Sequence, residues 1–119
     1  MIDEYDEYIK KYIELCSELD DYSKEGVKKH NKAMRRLAKL FHQLENDKEL
    51  ATVVYESLMN HSNQRVRLTA AAHSLGLNVN LSLAEKVLKE ISFNSHEPLS
   101  RFNAEMTLQV WKEQGYLNF

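Results

Sequence analysis

The chain has 119 residues, of which 43% are hydrophobic and 29% are charged, with three Gly and one Pro. This length suits one domain, 1–119, and the hydrophobic fraction is sufficient for a core, which excludes a disordered chain. Sheet proteins need turn residues about every 8–12 positions, so the few Gly and Pro residues exclude an all-β fold. One cysteine, Cys16, excludes an internal disulfide framework and a cysteine-based zinc site. Composition therefore favours an all-α domain.

The sequence contains no segment typical of export or of membrane insertion. Its acidic start, MIDEYDE, is followed by no apolar run of signal-peptide length. No stretch approaches the roughly 18 apolar residues that span a bilayer. We therefore expect a cytoplasmic protein with no membrane partner, and a single reduced thiol fits that compartment.

The net charge of −2 conceals two segments of opposite sign. Residues 1–21 carry eight acidic residues and two lysines, which gives a net charge of −6. Residues 22–44 carry seven basic residues and one glutamate, which gives +6, and the rest of the chain is close to neutral. Such asymmetry indicates either internal pairing of the two segments or a charged partner.

Apolar residues at three- and four-residue spacing predict a first helix from about Asp3 to Asp20. Its apolar stripe consists of Tyr5, Tyr8, Ile9, Tyr12, Ile13, Cys16 and Leu19. A second helix follows a cap at Asp21 or Ser23. We expect its core-facing residues to be Val27, Met34, Leu37, Ala38, Phe41 and Leu44.

The third and fourth predicted helices form the middle of the chain. Asn46 or Asp47 is the predicted cap of helix 3. Helix 4 runs over about 64–75, with Gly76 in the position that follows a helix C-terminus. Small side chains allow close approach of neighbouring helices, so the run Ala70–Ala72 predicts that helix 4 is central.

Two more helices complete the chain. Ser82 is the predicted cap of helix 5, and Glu85 three residues later completes a capping box. A loop over 93–98 leads to helix 6, over about 100–114, which Gly115 ends. The helices form short, tightly connected pairs, which fit either a HEAT-like superhelix or a compact bundle. Periodicity does not separate the two.

Two segments resemble a known family. Residues 61–72, HSNQRVRLTAAA, resemble the H-x-N-x-x-V-R-x-x-A-A stretch of a small HEAT-like family called domain of unknown function two-thousand-nineteen. Residues 102–112, FNAEMTLQVWK, look like that family's closing F-D-A-E-M-T-L-x-x-W helix, with Asn103 where the family usually has Asp. Residues 1–45 match in pattern only. We expect Trp111 to anchor this last helix against the Ala-rich helix.

The resemblance implies a function. Members of that family are similar to immunity proteins of polymorphic toxin and contact-dependent growth inhibition systems. It therefore implies a cytoplasmic antitoxin that binds one cognate toxin domain. We expect that domain to be basic, for example an RNase or a DNase, and to be neutralised by occlusion of its active site or substrate cleft.

The residues include no constellation typical of an enzyme, and we expect no catalytic residue, cofactor or metal. No H-E-x-x-H, P-loop, G-x-S-x-G or dinucleotide-binding pattern is present. Cys16 lies on the apolar stripe of helix 1, so we expect it to be a buried core residue. We expect Glu105 of helix 6 to pair with Arg65 or Arg67 and so tie two helices together.

The acidic residues of helix 1 are the predicted partner-binding surface. An acidic helix can occupy the basic cleft of a nuclease as a substrate mimic, because complementary potentials speed association. Tyr is common among interface hot spots, although the tyrosines of helix 1 also fit its core-facing stripe. The predicted contact residues are Asp3, Glu4, Glu7, Tyr8, Glu14 and Glu18. The alternative is a solvent-exposed face whose acidic residues stabilise the N-terminus of the helix.

The basic residues of helix 2 suggest a second function. They recur every four positions and predict a row on one helix face, as phosphate binding requires. The row consists of Lys24, Lys28, Lys32 and Arg36, with Lys29, Arg35 and Lys39 beside it. Because acidic helix 1 is the expected antiparallel neighbour, we expect mutual neutralisation and rank nucleic-acid binding second. A HEAT-like scaffold for an unrelated protein partner is the third hypothesis.

Overall fold

The computed structural model describes residues 4–19 and 24–119, and the side chains of 24–26 are not part of that description. Over the described residues the fold is all-helical, with six helices and no strand, which confirms the predicted fold class. The helices are α1 (Glu4–Glu18), α2 (Lys24–Leu44), α3 (Lys48–Met59), α4 (Gln64–Gly76), α5 (Leu81–Asn94) and α6 (Pro98–Gln114). Among these helices, none has the length and hydrophobicity of a membrane span. The predicted cap of the second helix, Asp21 or Ser23, lies outside the described residues.

The helices pack mainly against their neighbours in the chain. From α3 to α6 each helix contacts the next, and α1 contacts α2, α3 and α4. Helices α1 and α2 are antiparallel, since Tyr8 of α1 reaches Gln43 near the end of α2. Leu19, directly after α1, lies beside His30. The radius of gyration is 13.6 Å, close to the roughly 13.5 Å expected for a compact domain of this length. The molecule is therefore a compact bundle of adjacent helix pairs.

Helix α4 is central, as its Ala-rich run predicts. It contacts α1, α3, α5 and α6, and Ala70 and Ala71 are fully buried. The largest buried side chains around it include Tyr12, Leu37, Leu44, Val54, Tyr55, Leu58, Leu75 and Leu88. Trp111 packs against this core but is only half-buried. Its Nε1 is enclosed and has no hydrogen-bond partner among the described residues.

The apolar stripe of α1 is graded along the helix. Tyr12, Cys16 and Leu19 are buried, which confirms the core role predicted for Cys16. Tyr5, by contrast, is exposed. The three residues that are only partly buried are Tyr8, Ile9 and Ile13. The end of α1 is therefore anchored in the core, whereas its first turn extends beyond it.

The core-facing side of α2 differs from the prediction. Val27 and Met34 are 56% and 48% exposed, and Ala38 is half-buried, so the prediction that these three are core residues was wrong. The buried residues of α2 are Ala33, Leu37, Leu40, Phe41 and Leu44. The helix carries two apolar rows side by side, and only the row at 33, 37, 40 and 44 faces the core. The other row, at 27, 34 and 38, lies at its edge.

Two helix ends have the predicted residues. The side chain of Asp47 accepts a hydrogen bond from the backbone N–H of Leu50 at 3.1 Å, which confirms Asp47 as the cap of α3. Gly115 ends α6 with a left-handed φ of 78°. Helix α6 begins at Pro98, earlier than predicted, because proline suits the first turn of a helix, where its missing N–H is not needed. The predicted loop over 93–98 is correspondingly shorter.

Two other predicted ends were wrong. Helix α5 begins one residue before Ser82, after Asn80 with a left-handed φ of 49°, so Ser82 lies within the helix and forms no capping box. Gly76 lies in the last turn of α4, and the left-handed residue that follows is Asn78, with a φ of 58°. Gly76 instead allows a close contact, because a Cβ there would lie 2.9 Å from Cε2 of Phe41.

Candidate functional site

The predicted partner-binding residues of α1 are largely accessible. Glu4, Glu7 and Glu14 are exposed, and Glu18 is half-buried. Asp3 lies outside the described residues. The spacing of seven and four residues places Glu7, Glu14 and Glu18 on one side of the helix, away from its buried stripe.

Glu14 lies where the acidic and basic helices meet. It lines a shallow groove together with Lys11 of its own helix and with Arg36 and Lys39 of α2. Its surroundings are therefore cationic. At the start of α1, Lys11 Nζ lies 3.5 Å from Glu7 Oε1. Exposed pairs of this spacing contribute only about 0.3–0.5 kcal/mol, so Glu7 remains available to a stronger partner.

Tyr8 connects α1 to α2. Its ring is half-buried against the core, and its hydroxyl donates a hydrogen bond to Gln43 Oε1 at 3.4 Å. The tyrosine therefore has a packing role, and only its edge is available to a partner.

The basic residues of α2 form an exposed face. Those whose side chains are described are all exposed: Lys28, Lys29, Lys32, Arg35, Arg36 and Lys39. Lys24, the first residue of the predicted row, has no described side chain. None of the six forms an ion pair in the described part of the chain. The acidic and basic helices are thus neighbours, but their charges are not paired one to one.

A groove of about 530 Å³ lies between α2, α4 and α6. Its apolar surface is formed largely by Leu37, Ala38, Leu68 and Ala72, with Met34 at its edge. The polar and charged residues that line it are His30, Arg35, Arg65, Thr69, His73, Asn103, Thr107 and Asn118. No Asp or Glu is among its described lining residues. This groove was not predicted from the sequence, although the second apolar row of α2 is a signal of it.

A buried polar cluster lies beside the groove. The hydroxyl oxygens of Tyr12 and Tyr55 are 2.7 Å apart, and the Tyr12 oxygen is 2.9 Å from His73 Nδ1. Burial lowers the pKa of His73 to about 3, and nearby His42 contributes in the same direction. Burial also raises the pKa of both tyrosines above the usual range. All three groups are therefore neutral at pH 7, and the Tyr12 hydroxyl and His73 Nδ1 share one hydrogen bond.

Phe119 closes one end of the groove. The centroid of its ring is 4.5 Å from that of His73 and 4.9 Å from that of Phe41. Its backbone carbonyl accepts a hydrogen bond from His42 Nε2 at 2.8 Å, and His42 Nδ1 bonds to Glu45. The Glu45 carboxylate and the Phe119 carbonyl raise the pKa of His42. Protonated His42 therefore donates to both acceptors.

The predicted pairing of Glu105 with Arg65 or Arg67 was wrong, since Glu105 forms no ion pair in the described part of the chain. Arg67 Nη1 donates to the backbone carbonyls of His61 and Ser62, at 2.9 and 2.8 Å, and so holds the connection before α4. Glu105 points to the other side of α6, where it lines a shallow pocket with residues of α5. Arg65 of α4 instead lines the groove between α2, α4 and α6, together with Asn103 and Thr107 of α6.

The second family-like segment has an exposed apolar side. Phe102 is 58% exposed and Met106 is 39% exposed, and Leu99 lies on the same side of α6. Ala104 and Leu108 are buried on the opposite side. Packing of the core therefore explains the apolar residues on the inner side of this segment, whereas those on its outer side face solvent.

The described residues contain no group of three or more His, Cys, Asp or Glu side chains that could hold a metal ion. The chain matches no family model, no curated protein and no solved structure. The resemblance of residues 61–72 and 102–112 to the HEAT-like family therefore stays a prediction.

Proposed function

We propose that this chain is an immunity protein, a binding protein that neutralises one bacterial toxin domain by direct contact in the cytoplasm. The resemblance of residues 61–72 and 102–112 to the HEAT-like family suggests this class. The acidic surface at the start of α1 suggests the contact.

The observation that carries the proposal is the exposure of Glu4, Asp6 and Glu7 within the first turn of α1. Only Glu7 of these three has an ion-pair partner among the described residues, and that pair is itself exposed. Carboxylates at a helix N-terminus are favoured by the helix dipole, so the surface is stable without a partner. It also presents carboxylates to a basic surface with little rearrangement.

The mechanism that follows is occlusion. A nuclease binds its substrate through a basic cleft, and the acidic end of α1 takes the place of the phosphates there. Complementary charge speeds association and selects the partner, whereas like charges placed against each other cost several kcal/mol. The toxin domain is thus held inactive without any covalent step.

The structure sharpens the choice of variant. Glu14→Lys would place a lysine beside Arg36 and Lys39. A loss of function in that variant could then come either from weaker toxin binding or from charge repulsion within the domain. Glu4→Lys with Glu7→Lys avoids that groove. Glu49→Lys with Glu56→Lys is the matched control, because both residues are exposed on α3 and the change in net charge is the same.

The test is co-expression with a candidate cognate toxin domain, sought first in the genes next to the one that encodes this chain. We expect wild type and the α3 control to protect cells, and the α1 variant to lose protection while its melting temperature stays close to that of wild type. Full protection by a folded α1 variant would show that the start of α1 is not the inhibitory surface.

A further inference from the structure

We propose that the groove between α2, α4 and α6 binds an acidic, amphipathic segment of a protein partner. An apolar side chain of that segment fills the groove, and its carboxylates lie against α2. This interface is separate from the acidic surface of α1 and does not depend on the proposed immunity function.

The groove has an apolar lining that continues onto the exposed side of α2. Leu37, Leu68 and Ala72 form a surface within the groove, and Met34 extends it outward while 48% exposed. Val27, two turns before Met34 on the same side of α2, is 56% exposed. Exposed apolar residues that continue a concave apolar surface are typical of an interaction site. They also explain why these α2 residues have core-like spacing without being buried.

The groove and its edge on α2 carry positive charge. Arg35 lines the groove and has no ion-pair partner in the described part of the chain. Lys28, Lys32 and Lys39 lie next to it on the outer side of α2, and they are also exposed. With no Asp or Glu among the described lining residues, the groove and its edge favour an acidic partner.

A polar atom lies beside the apolar lining. His73 is 4% exposed and lines the groove, and its Nδ1 is hydrogen-bonded to the Tyr12 hydroxyl. Its Nε2 has no hydrogen-bond partner among the described residues. A neutral imidazole offers either a donor or an acceptor at this nitrogen, so Nε2 can bond to a polar group of a partner that enters the groove. The ring of Phe119, whose centroid lies 4.5 Å from that of this imidazole with the planes tilted by 59°, shows that an aromatic side chain fits against it.

A protein segment fits these features better than a nucleic acid does. A phosphate backbone would follow the outer row of Lys28, Lys32 and Arg36 and would leave the apolar lining unused. An amphipathic helix in an apolar groove uses both the lining and the charged edge. The two partners therefore predict different roles for the neighbouring residues Arg35 and Arg36, since Arg35 lines this groove and Arg36 lines the one shared with α1.

The probe is a fluorescein-labelled peptide of about 16 residues with Leu and Phe on one helical face and Glu on the other. Fluorescence anisotropy with the full chain measures its dissociation constant. We expect saturable binding, weakened at least about tenfold by Arg35→Glu and by Met34→Ser. Arg36→Glu, the matched control, should weaken binding less than about threefold, because its charge is outside the groove. All three residues are exposed, and unchanged circular dichroism confirms that each variant folds.

Two further probes complete the test. A peptide with Ser in place of Leu and Phe should bind at least about tenfold more weakly, and amide shifts in NMR spectra should cluster on α2, α4 and α6. Absence of saturable binding by the acidic peptide would overturn the proposal. So would equal effects of Arg35→Glu and Arg36→Glu with none from Met34→Ser. If a labelled single-stranded oligonucleotide binds more tightly than the peptide and shows that same pattern, the surface is a nucleic-acid site instead.

Discussion

Tyr12, Tyr55 and His73 come from three different helices and share one hydrogen-bonded chain in the core. The helical spacing of apolar residues predicts that Tyr12 lies on the core-facing stripe of α1. It does not predict the hydroxyl bonds of Tyr12 and Tyr55 or the burial of His73, since these depend on how α1, α3 and α4 are placed relative to one another. Local spacing thus identifies buried positions, whereas the partners of buried polar atoms come from tertiary packing.

Tyr12 is the middle member of this hydrogen-bonded chain, so its substitution should lower stability the most. Tyr12→Phe leaves both the Tyr55 hydroxyl and His73 Nδ1 without a partner, so we expect it to lower the free energy of unfolding by about 2–4 kcal/mol. Tyr55→Phe removes one bond and leaves Tyr12 paired with His73, so we expect a loss of about 0.5–1.5 kcal/mol. Urea denaturation of the two variants measures the difference. Equal losses would mean that Tyr12 does not bridge the other two groups.

His73 also makes stability depend on pH. Its pKa of about 3 in the folded state is below the usual value of 6.5, so the unfolded chain binds more protons between these values. The stability that neutral His73 allows is complete above about pH 6.5 and is lost as the pH falls towards 3. His42 acts in the opposite direction, because its raised pKa favours the folded state below its unfolded value, but it is exposed and its effect is small.

The expected measurement is a comparison of unfolding free energies at pH 7.5 and pH 5.0. His73→Gln keeps an acceptor for Tyr12 but does not titrate, so its loss of stability over this interval should be smaller than that of wild type by about 2 kcal/mol. His96→Gln is the control, since His96 is exposed. The same loss in all three proteins would contradict a buried neutral His73.

At the level of elements, all six helices could be predicted, because long apolar stripes with a period of 3.6 residues and few Gly or Pro residues leave little alternative. Helix ends were less predictable. Asp47 caps α3 through a bond within its own turn, which the local sequence specifies. Ser82 has an equally good local pattern, but α5 begins at Leu81, directly after Asn80. Asn78 and Asn80 have left-handed backbone conformations, and Ser82 already lies within the helix. The choice between two apolar rows on α2 also depended on neighbours distant in sequence.

These two cap assignments can be compared directly. Asp47→Ala removes the hydrogen bond to Leu50 and should cost about 1 kcal/mol of stability. Ser82→Ala should change stability by less than about 0.5 kcal/mol, because Ser82 is exposed within α5 and caps nothing. Thermal denaturation of both variants measures this. A larger loss for Ser82→Ala would restore the predicted capping box.

At the level of the whole molecule, two surfaces differ in charge and shape: the acidic start of α1 and the groove between α2, α4 and α6. The acidic start of α1 was predictable from composition, since a net charge of −6 over 21 residues requires an exposed acidic surface. The groove between α2, α4 and α6 was not, because its residues span positions 19 to 119 and meet only in the folded chain. Of the six residues predicted to bind a partner, Glu4, Glu7 and Glu14 are exposed, whereas Glu18 and Tyr8 are partly buried and Asp3 lies outside the described residues.

The central claim is that the acidic start of α1 attracts a basic toxin domain. Its most direct test is the association rate with a candidate cognate toxin domain, measured by stopped flow from low to high ionic strength. We predict a wild-type rate that falls about tenfold or more as salt rises, because the charges are screened over about 8–10 Å at physiological ionic strength. Glu4→Lys with Glu7→Lys should associate slowly at low salt and respond little to added salt, whereas Glu49→Lys with Glu56→Lys should behave as wild type does. Identical rates and salt dependence for wild type and the α1 variant would contradict the account.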